Sequence, residues 1–204
     1  MITIIDYNAG NIRSVLRACA EVGASAEITN DPRKVQKATK VIFPGVGAAP
    51  SGMDYVTKTG LDVAIKYVFK QGVPLFGICL GAQIILEHSE EGPTKCLGLV
   101  AGKTVRFKVS DPSLKIPHMG WNEVKVVKPH PLLEGIQAGD EFYFVHSFYP
   151  QPKDKNNIYA ISSHGSDFCC ALGYKNLFAT QFHPEKSGRF GLRVLEKFAK
   201  WEGK

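Results

Sequence analysis

The chain has 204 residues, a formal net charge of +6, 44% hydrophobic and 22% charged residues, which suits one well-packed domain over residues 1–204 and excludes a disordered chain. No apolar run nears the roughly 20 residues of a membrane span, and the lysines are scattered rather than striped, which argues against membrane and nucleic-acid partners. Five cysteines without C-x-x-C or zinc spacing exclude a disulfide scaffold and a zinc module, and point to reduced thiols in the cytoplasm.

Residues 3–7 read as a first strand buried on both faces, and the start of the chain lacks the basic opening and cleavage site of a leader. Residues 8–11 form a turn into a helix whose apolar positions Ile12, Val15, Leu16, Cys19 and Val22 follow a 3–4 spacing, stopped by Gly23. A strand over 24–29, a short helical turn over 34–39 and a strand over 41–43 follow. The last runs into Pro44-Gly45-Val46-Gly47-Ala48. Residues 61–70 predict a helix closed by Gly72. Residues 73–87 start as a buried strand and end as a helix carrying Ile84, Ile85 and Leu86, and His88 is read as lying on a helix too. After residue 92 the texture changes to short strand candidates at 97–100, 105–109, 124–127, 142–145, 158–163, 169–174 and 177–182, with a closing helix over 191–201. The pattern predicts an α/β fold: an open, mixed, mostly parallel sheet flanked by helices, with antiparallel strands added in the second half.

Three stretches carry chemistry. Gly77-Ile78-Cys79-Leu80-Gly81 has the form of a nucleophile elbow, with cysteine in the tight strand-to-helix turn. A helix N-terminus there favours the thiolate. A lone cysteine on an apolar strand also reads as a small core residue. Gln181-Phe182-His183-Pro184-Glu185 ends a strand. Proline holds His183 extended, so His183 and Glu185 share a side and the carboxylate can orient the imidazole. By itself that is also a surface histidine before a proline turn. The glycines of Pro44-Gly45-Val46-Gly47-Ala48 let backbone N–H groups approach a ligand at the carboxyl end of a parallel strand, as an oxyanion requires.

Together these residues resemble the class I (triad) glutamine amidotransferases, a flavodoxin-like fold. The stretches 4–11, Pro117-His118-Met119-Gly120-Trp121-Asn122, Tyr143-Phe144-Val145-His146-Ser147 and Lys186-Ser187 are similar to the glutaminase subunits of imidazole glycerol phosphate synthase. The resemblance implies that Cys79 attacks the glutamine carboxamide, His183 shuttles the proton and Glu185 holds His183. It implies an oxyanion hole from Val46, Gly47 and Leu80, and glutamine contacts from Gln83, Ser147 and Phe148. His118, Met119, Trp121 and Tyr143 would lie toward the partner and the ammonia exit. No cofactor or metal is implied. The partner would be a (β/α)₈-barrel cyclase that turns the ammonia into imidazole glycerol phosphate and AICAR in histidine biosynthesis. Glutaminase subunits of pyridoxal phosphate synthase or anthranilate synthase type share the triad, and a non-catalytic redox or binding module remains a third class.

The chain departs from that family at Pro50, which leaves the loop after the oxyanion strand open, and at Ala179, where a glycine is expected. Cys169-Cys170 reads as two strand residues facing opposite ways. His88, His130 and His164 read as surface or structural residues, and His118 and His146 stay open between that and function.

Overall fold

The computed structural model describes residues 1–8 and 12–204, so most of the expected turn over 8–11 lies outside the described residues. The first half alternates β1 (Ile2–Ile5), α1 (Ile12–Glu21), β2 (Ala26–Thr29), α2 (Pro32–Gln36), β3 (Val41–Phe43), α3 (Ala49–Lys58), α4 (Leu61–Lys70), β4 (Leu75–Ile78) and α5 (Leu80–Ile84). Short strands follow: β5 (His88–Ser89), β6 (Thr94–Lys95), β7 (Gly102–Arg106), β8 (His118–Glu123) and β9 (Lys125–Val126). Then come β10 (Glu141–His146), β11 (Phe148–Pro152), β12 (Ile158–Ser163), β13 (Asp167–Tyr174), β14 (Leu177–Thr180) and α6 (Gly188–Lys200).

Eight strands make the main sheet in the order β2-β1-β3-β4-β14-β13-β12-β9. The first five run parallel, and β13, β12 and β9 continue antiparallel. Beside it stand a β10-β8 ribbon and a small sheet β11-β7-β5-β6. Helices cover both faces of the parallel part, so β1, β3, β4 and β14 are buried along their whole length, while the edge strand β2 is only partly so. Alternate residues feed two cores. Val41 and Phe43 join Val56, Leu61 and Ile65 on one side, and Ile42 joins Val15, Val194 and Phe198 on the other. Phe76 is fully buried, 5.2 Å from the Phe198 ring and 6.2 Å from that of Phe178. Its truncation to alanine would cost about 3–5 kcal/mol. Cys169 and Cys170 do face opposite cores, and both are free thiols. Among the described residues no helix is long and apolar enough to cross a membrane.

The structure corrects several expectations. The helical turn placed at 34–39 starts earlier, at Pro32, capped by the Asp31 side chain on the Arg33 N–H. Residues 49–58, left without an element, form α3. Pro50 sits in its first turn, where a missing N–H costs nothing, so the open loop is a helix. Residues 97–100 are not a strand. Their N–H groups donate to the carbonyls of Ile84, Ile85 and Leu86, capping the end of α5. That same contact ends α5 at Ile84, so His88 lies on β5, paired with Lys95 and Lys103, rather than on a helix. The Pro117–Asn122 motif lies mostly in a strand, β8 (His118–Glu123), that had no predicted element.

Candidate active site

Three strands end side by side. Phe43 of β3 is in register with Gly77 of β4, and Ile78 of β4 with Thr180 of β14. The Pro44–Ala48 turn, Cys79 and the Gln181–Glu185 segment therefore leave the sheet together, at its carboxyl edge.

Cys79 has φ 52° and ψ −104°, a backbone state that a residue with a Cβ seldom adopts. Packing imposes it. A Cβ on Gly81 would lie 1.9 Å from the Phe43 carbonyl oxygen, and one on Gly77 would lie 3.1 Å from the Ala179 Cβ. Gly77 thus leaves room for the Ala179 side chain, so the alanine at the position where a glycine is expected is accommodated. The Cys79 N–H donates to the Thr180 carbonyl at 2.8 Å, fixing the turn to β14. The sulfur accepts from Gln181 Nε2 at 3.6 Å. The other cysteines are held as thiols. Burial pushes Cys19 up to about 11, Cys96 and Cys169 to about 12, and Cys170 well above its ordinary value.

His183 is buried, and its Nδ1 lies 2.7 Å from Glu185 Oε1. The backbone at His183 is extended, as the following proline predicts. The carboxylate comes back to the ring through a 3-10 turn over Pro184–Lys186 rather than along a straight strand. Strand β10 clamps this turn. The His183 N–H donates to the Tyr143 carbonyl at 3.0 Å, and the Ser187 hydroxyl donates to the His183 carbonyl at 2.6 Å while accepting from the Tyr143 N–H at 3.0 Å. Burial opposes charge on the imidazole. Burial is the largest single influence, but Cys79 and Glu185 together outweigh it and raise His183 above its ordinary range. Cys79 acts on it without a well-formed hydrogen bond: His183 Nε2 and Glu185 Oε2 have no hydrogen-bond partner among the described residues.

A cavity of about 240 Å³ opens on the sulfur and is lined by Val46, Gly47, Leu80, Gln83, Ser147 and Phe148, all expected there. Glu91, Val145 and His146 line it too. Gln83 Nε2 donates to the Phe148 carbonyl at 2.9 Å and to Gln181 Oε1 at 3.1 Å. Glu91 holds the start of α3, its Oε2 accepting from the Ala49 N–H at 2.7 Å. Sequence reasoning missed Glu91 and Gln181. Gln181 precedes His183 by two positions on an extended end, so the side it faces was available as a signal. Glu91 sits in a turn with no such pattern. A larger hollow of about 510 Å³ at His130 is mainly apolar and shares no lining residue with the cavity at the thiol.

The expected oxyanion donors are not all free. The Leu80 N–H donates to the Gly45 carbonyl at 3.2 Å. Gly47 holds φ 104°, and a Cβ there would meet nothing within 4 Å, so conformation rather than space calls for glycine.

The outward residues separate by strand alternation. Met119 and Trp121 are 63% and 54% exposed, and Trp121 pairs with Tyr143 across β8 and β10. His118 points the other way and is buried. His146 Nδ1 lies 2.8 Å from the Phe148 carbonyl, which can only accept, so that nitrogen carries the proton. His146 Nε2 then accepts from His118 Nδ1 at 3.0 Å, and His118 Nε2 accepts from Asn122 Nδ2 at 3.1 Å. Both rings are neutral in this chain of bonds. Burial, aided by neighbouring histidines, lowers His118 to about 4 and His146 to about 3. Among the described residues no group of three or more such side chains is arranged to hold a metal ion.

A family model for class I glutamine amidotransferase matches residues 3–201. The chain is 46% identical over 201 residues to the imidazole glycerol phosphate synthase subunit HisH of Dehalococcoides mccartyi, covering 98% of this chain and 97% of that protein. It is 47% identical over 209 residues to the subunit of the same name from Chromobacterium violaceum, covering 99% and 98%. Among solved structures, a glutamine amidotransferase superposes with a TM-score of 0.77 at 16% identity, covering 98% of this chain and all (100%) of that one. PurLQS from Thermotoga maritima does so at 0.74 and 20%, covering 98% and 97%. Those two share the fold. The full-length relatives place the chain more narrowly: it belongs to the class I glutamine amidotransferases and, among them, to the HisH subunits of imidazole glycerol phosphate synthase.

Proposed function

We infer that this chain, as one domain, hydrolyses glutamine to glutamate and ammonia for a partner subunit of the synthase. The observation that carries the reading is the meeting of Cys79 with the His183–Glu185 pair at the ends of neighbouring strands, on a cavity of glutamine size. The Cys79 sulfur attacks the side-chain carboxamide carbon as its proton passes to His183 Nε2. Glu185 holds the ring by Nδ1 and stabilises the imidazolium. The carboxamide oxygen takes up negative charge and needs the N–H groups of Leu80 and of Val46 or Gly47. His183 returns the proton to the amine as the C–N bond breaks, and ammonia leaves a thioester. Water, deprotonated by His183, attacks that thioester. Glutamate is released and the sulfur recovers its proton. Gln83 and the Ser147–Phe148 backbone hold the glutamine's amino and carboxylate groups.

The Leu80 N–H is occupied by Gly45 in the free chain, which supports a resting site held off. The partner is a (β/α)₈-barrel cyclase, docked on the face carrying Met119, Trp121 and Tyr143. It accepts the ammonia to form imidazole glycerol phosphate and AICAR in histidine biosynthesis, in the cytoplasm. Binding of the cyclase with its nucleotide ligand favours the turned Gly45–Val46 peptide, which frees the Leu80 N–H. The test is co-purification of a ~250-residue barrel followed by steady-state glutamate release. The complex with nucleotide ligand should exceed the isolated chain mainly in kcat. Full activity of the isolated chain, unmoved by either addition, would rule the gating out.

A further inference from the structure

Tyr7 lies beneath the oxyanion turn with its hydroxyl unpaired. The side chain is fully buried, and the phenolic oxygen has no hydrogen-bond partner among the described residues. Such a group is uncommon in a folded core and calls for an explanation. Packing does not supply one. The ring sits 4.9 Å from that of Phe43, a contact phenylalanine would make equally well. Position does. A Cβ on Gly45 would fall 1.7 Å from the Tyr7 oxygen, so the hydroxyl occupies the place of the side chain that residue 45 lacks. Burial, and after it the Cys79 charge, raise Tyr7 well above its ordinary value, so the phenol keeps its proton and remains a donor.

Two features of the turn now join. The Gly45 carbonyl faces the Leu80 N–H, and a hollow of about 370 Å³ lined by Tyr7, Val46, Gly47 and Leu80 lies against the turn. Turning the peptide between 45 and 46 changes ψ of Gly45 and φ of Val46; glycine at 45 leaves the first free, and the hollow beside Val46 leaves room for the turn. We propose that the Tyr7 hydroxyl is a positioning group for the oxyanion turn, donating to the Gly45 carbonyl when that carbonyl leaves the Leu80 N–H. One hydrogen bond then replaces another. In the resting state Leu80 is paired and Tyr7 is not. In the working state Tyr7 is paired and the Leu80 N–H is open to the substrate oxygen. The exchange keeps the number of protein hydrogen bonds constant, so a partner has little to overcome in turning the peptide.

This inference rests on the glutaminase reading above and predicts an unusual pairing of effects for Tyr7→Phe. Losing an unpaired buried hydroxyl should leave the thermal midpoint of the free chain equal to or above that of the wild type. In complex with the barrel subunit and its nucleotide ligand, the variant should lose roughly tenfold or more in kcat for glutamate release, with KM within about twofold. A midpoint lowered by several degrees would mean that the hydroxyl is bonded in the resting state, and would overturn the proposal whatever the activity. An unchanged kcat would overturn it too, while the wild-type complex turning over in the same assay leaves the glutaminase reading standing. A wild-type complex that releases no glutamate overturns both.

Discussion

Two buried histidine sites lie close together and are wired in opposite ways. His183 faces a carboxylate through Nδ1 and a sulfur through space, and its environment favours the imidazolium. His118 and His146 face each other, an amide and a backbone carbonyl, and their environment disfavours a second proton on either ring. Burial disfavours charge in both places, so the partners decide the outcome. A histidine that must gain and lose a proton sits against an acid. Histidines that must hold a carbonyl still are locked by tautomer.

The largest effects belong to the first site. Cys79→Gly should leave no glutamate release above background. Relief of a φ of 52° should hold or raise the thermal midpoint, since such strain costs about 1–3 kcal/mol and glycine's extra chain entropy returns only part of it. A chloroketone analogue of glutamine should label Cys79 and spare Cys19, Cys96, Cys169 and Cys170, read by peptide mass; equal labelling of all five breaks the assignment. His183→Ala should lower kcat by on the order of 10²–10⁴, and Glu185→Gln by less, because the ring stays in place with its orientation loosened. A Glu185→Gln loss far above that of His183→Ala would exchange the roles of the two.

The second site should answer more quietly, and in KM. His146→Phe removes the donor to the Phe148 carbonyl, which Gln83 shares, and should raise KM for glutamine by roughly tenfold with a smaller change in kcat. His146→Asn keeps an N–H near the Nδ1 position and should restore most of it. Equal defects in both variants would mean that His146 only fills space. Smallest is a difference in sign with pH. His118 and His146 sit near 4 and 3 in the fold against an ordinary 6.5, so the unfolded chain takes up their protons first as pH falls. Their stability is full above 6.5 and lost towards 4. His183 is raised, so its stabilisation is present below 6.5 and declines as pH rises through its folded value. Thermal midpoints from pH 7 to 5 should therefore fall less steeply in a His118→Asn/His146→Asn double variant and more steeply in His183→Asn, by a few degrees in each case.

The legible parts of this molecule were those written locally. Glycines two positions either side of Cys79, a proline after His183 and unbroken apolar strands announce the elbow, the base and a sheet covered on both faces. What stayed hidden depends on contacts distant in sequence. Nothing near residues 97–100 says that their N–H groups cap α5, so an apolar run there reads as a strand. Helix α3 carries proline and glycine, which mimic a loop until its first turn is seen. The bond from the Leu80 N–H to the Gly45 carbonyl, which closes the oxyanion site, joins two turns that no spacing rule connects. Strand alternation alone would have separated His118 from Met119 and Trp121 had the Pro117–Asn122 motif been read as a strand.

The seating of β4 between β3 and β14 has a consequence for how the protein is made. The thiol of Cys79 meets Gln181 across 102 residues of chain, and β14 comes after every other strand. On the ribosome the elbow is synthesised long before its base. Until β14 emerges, β4 has a bare parallel edge and Cys79 has no proton acceptor. A nascent or prematurely broken chain is thus unable to spend the cell's glutamine. The same bare edge marks it as sticky, a ready substrate for chaperones and proteases.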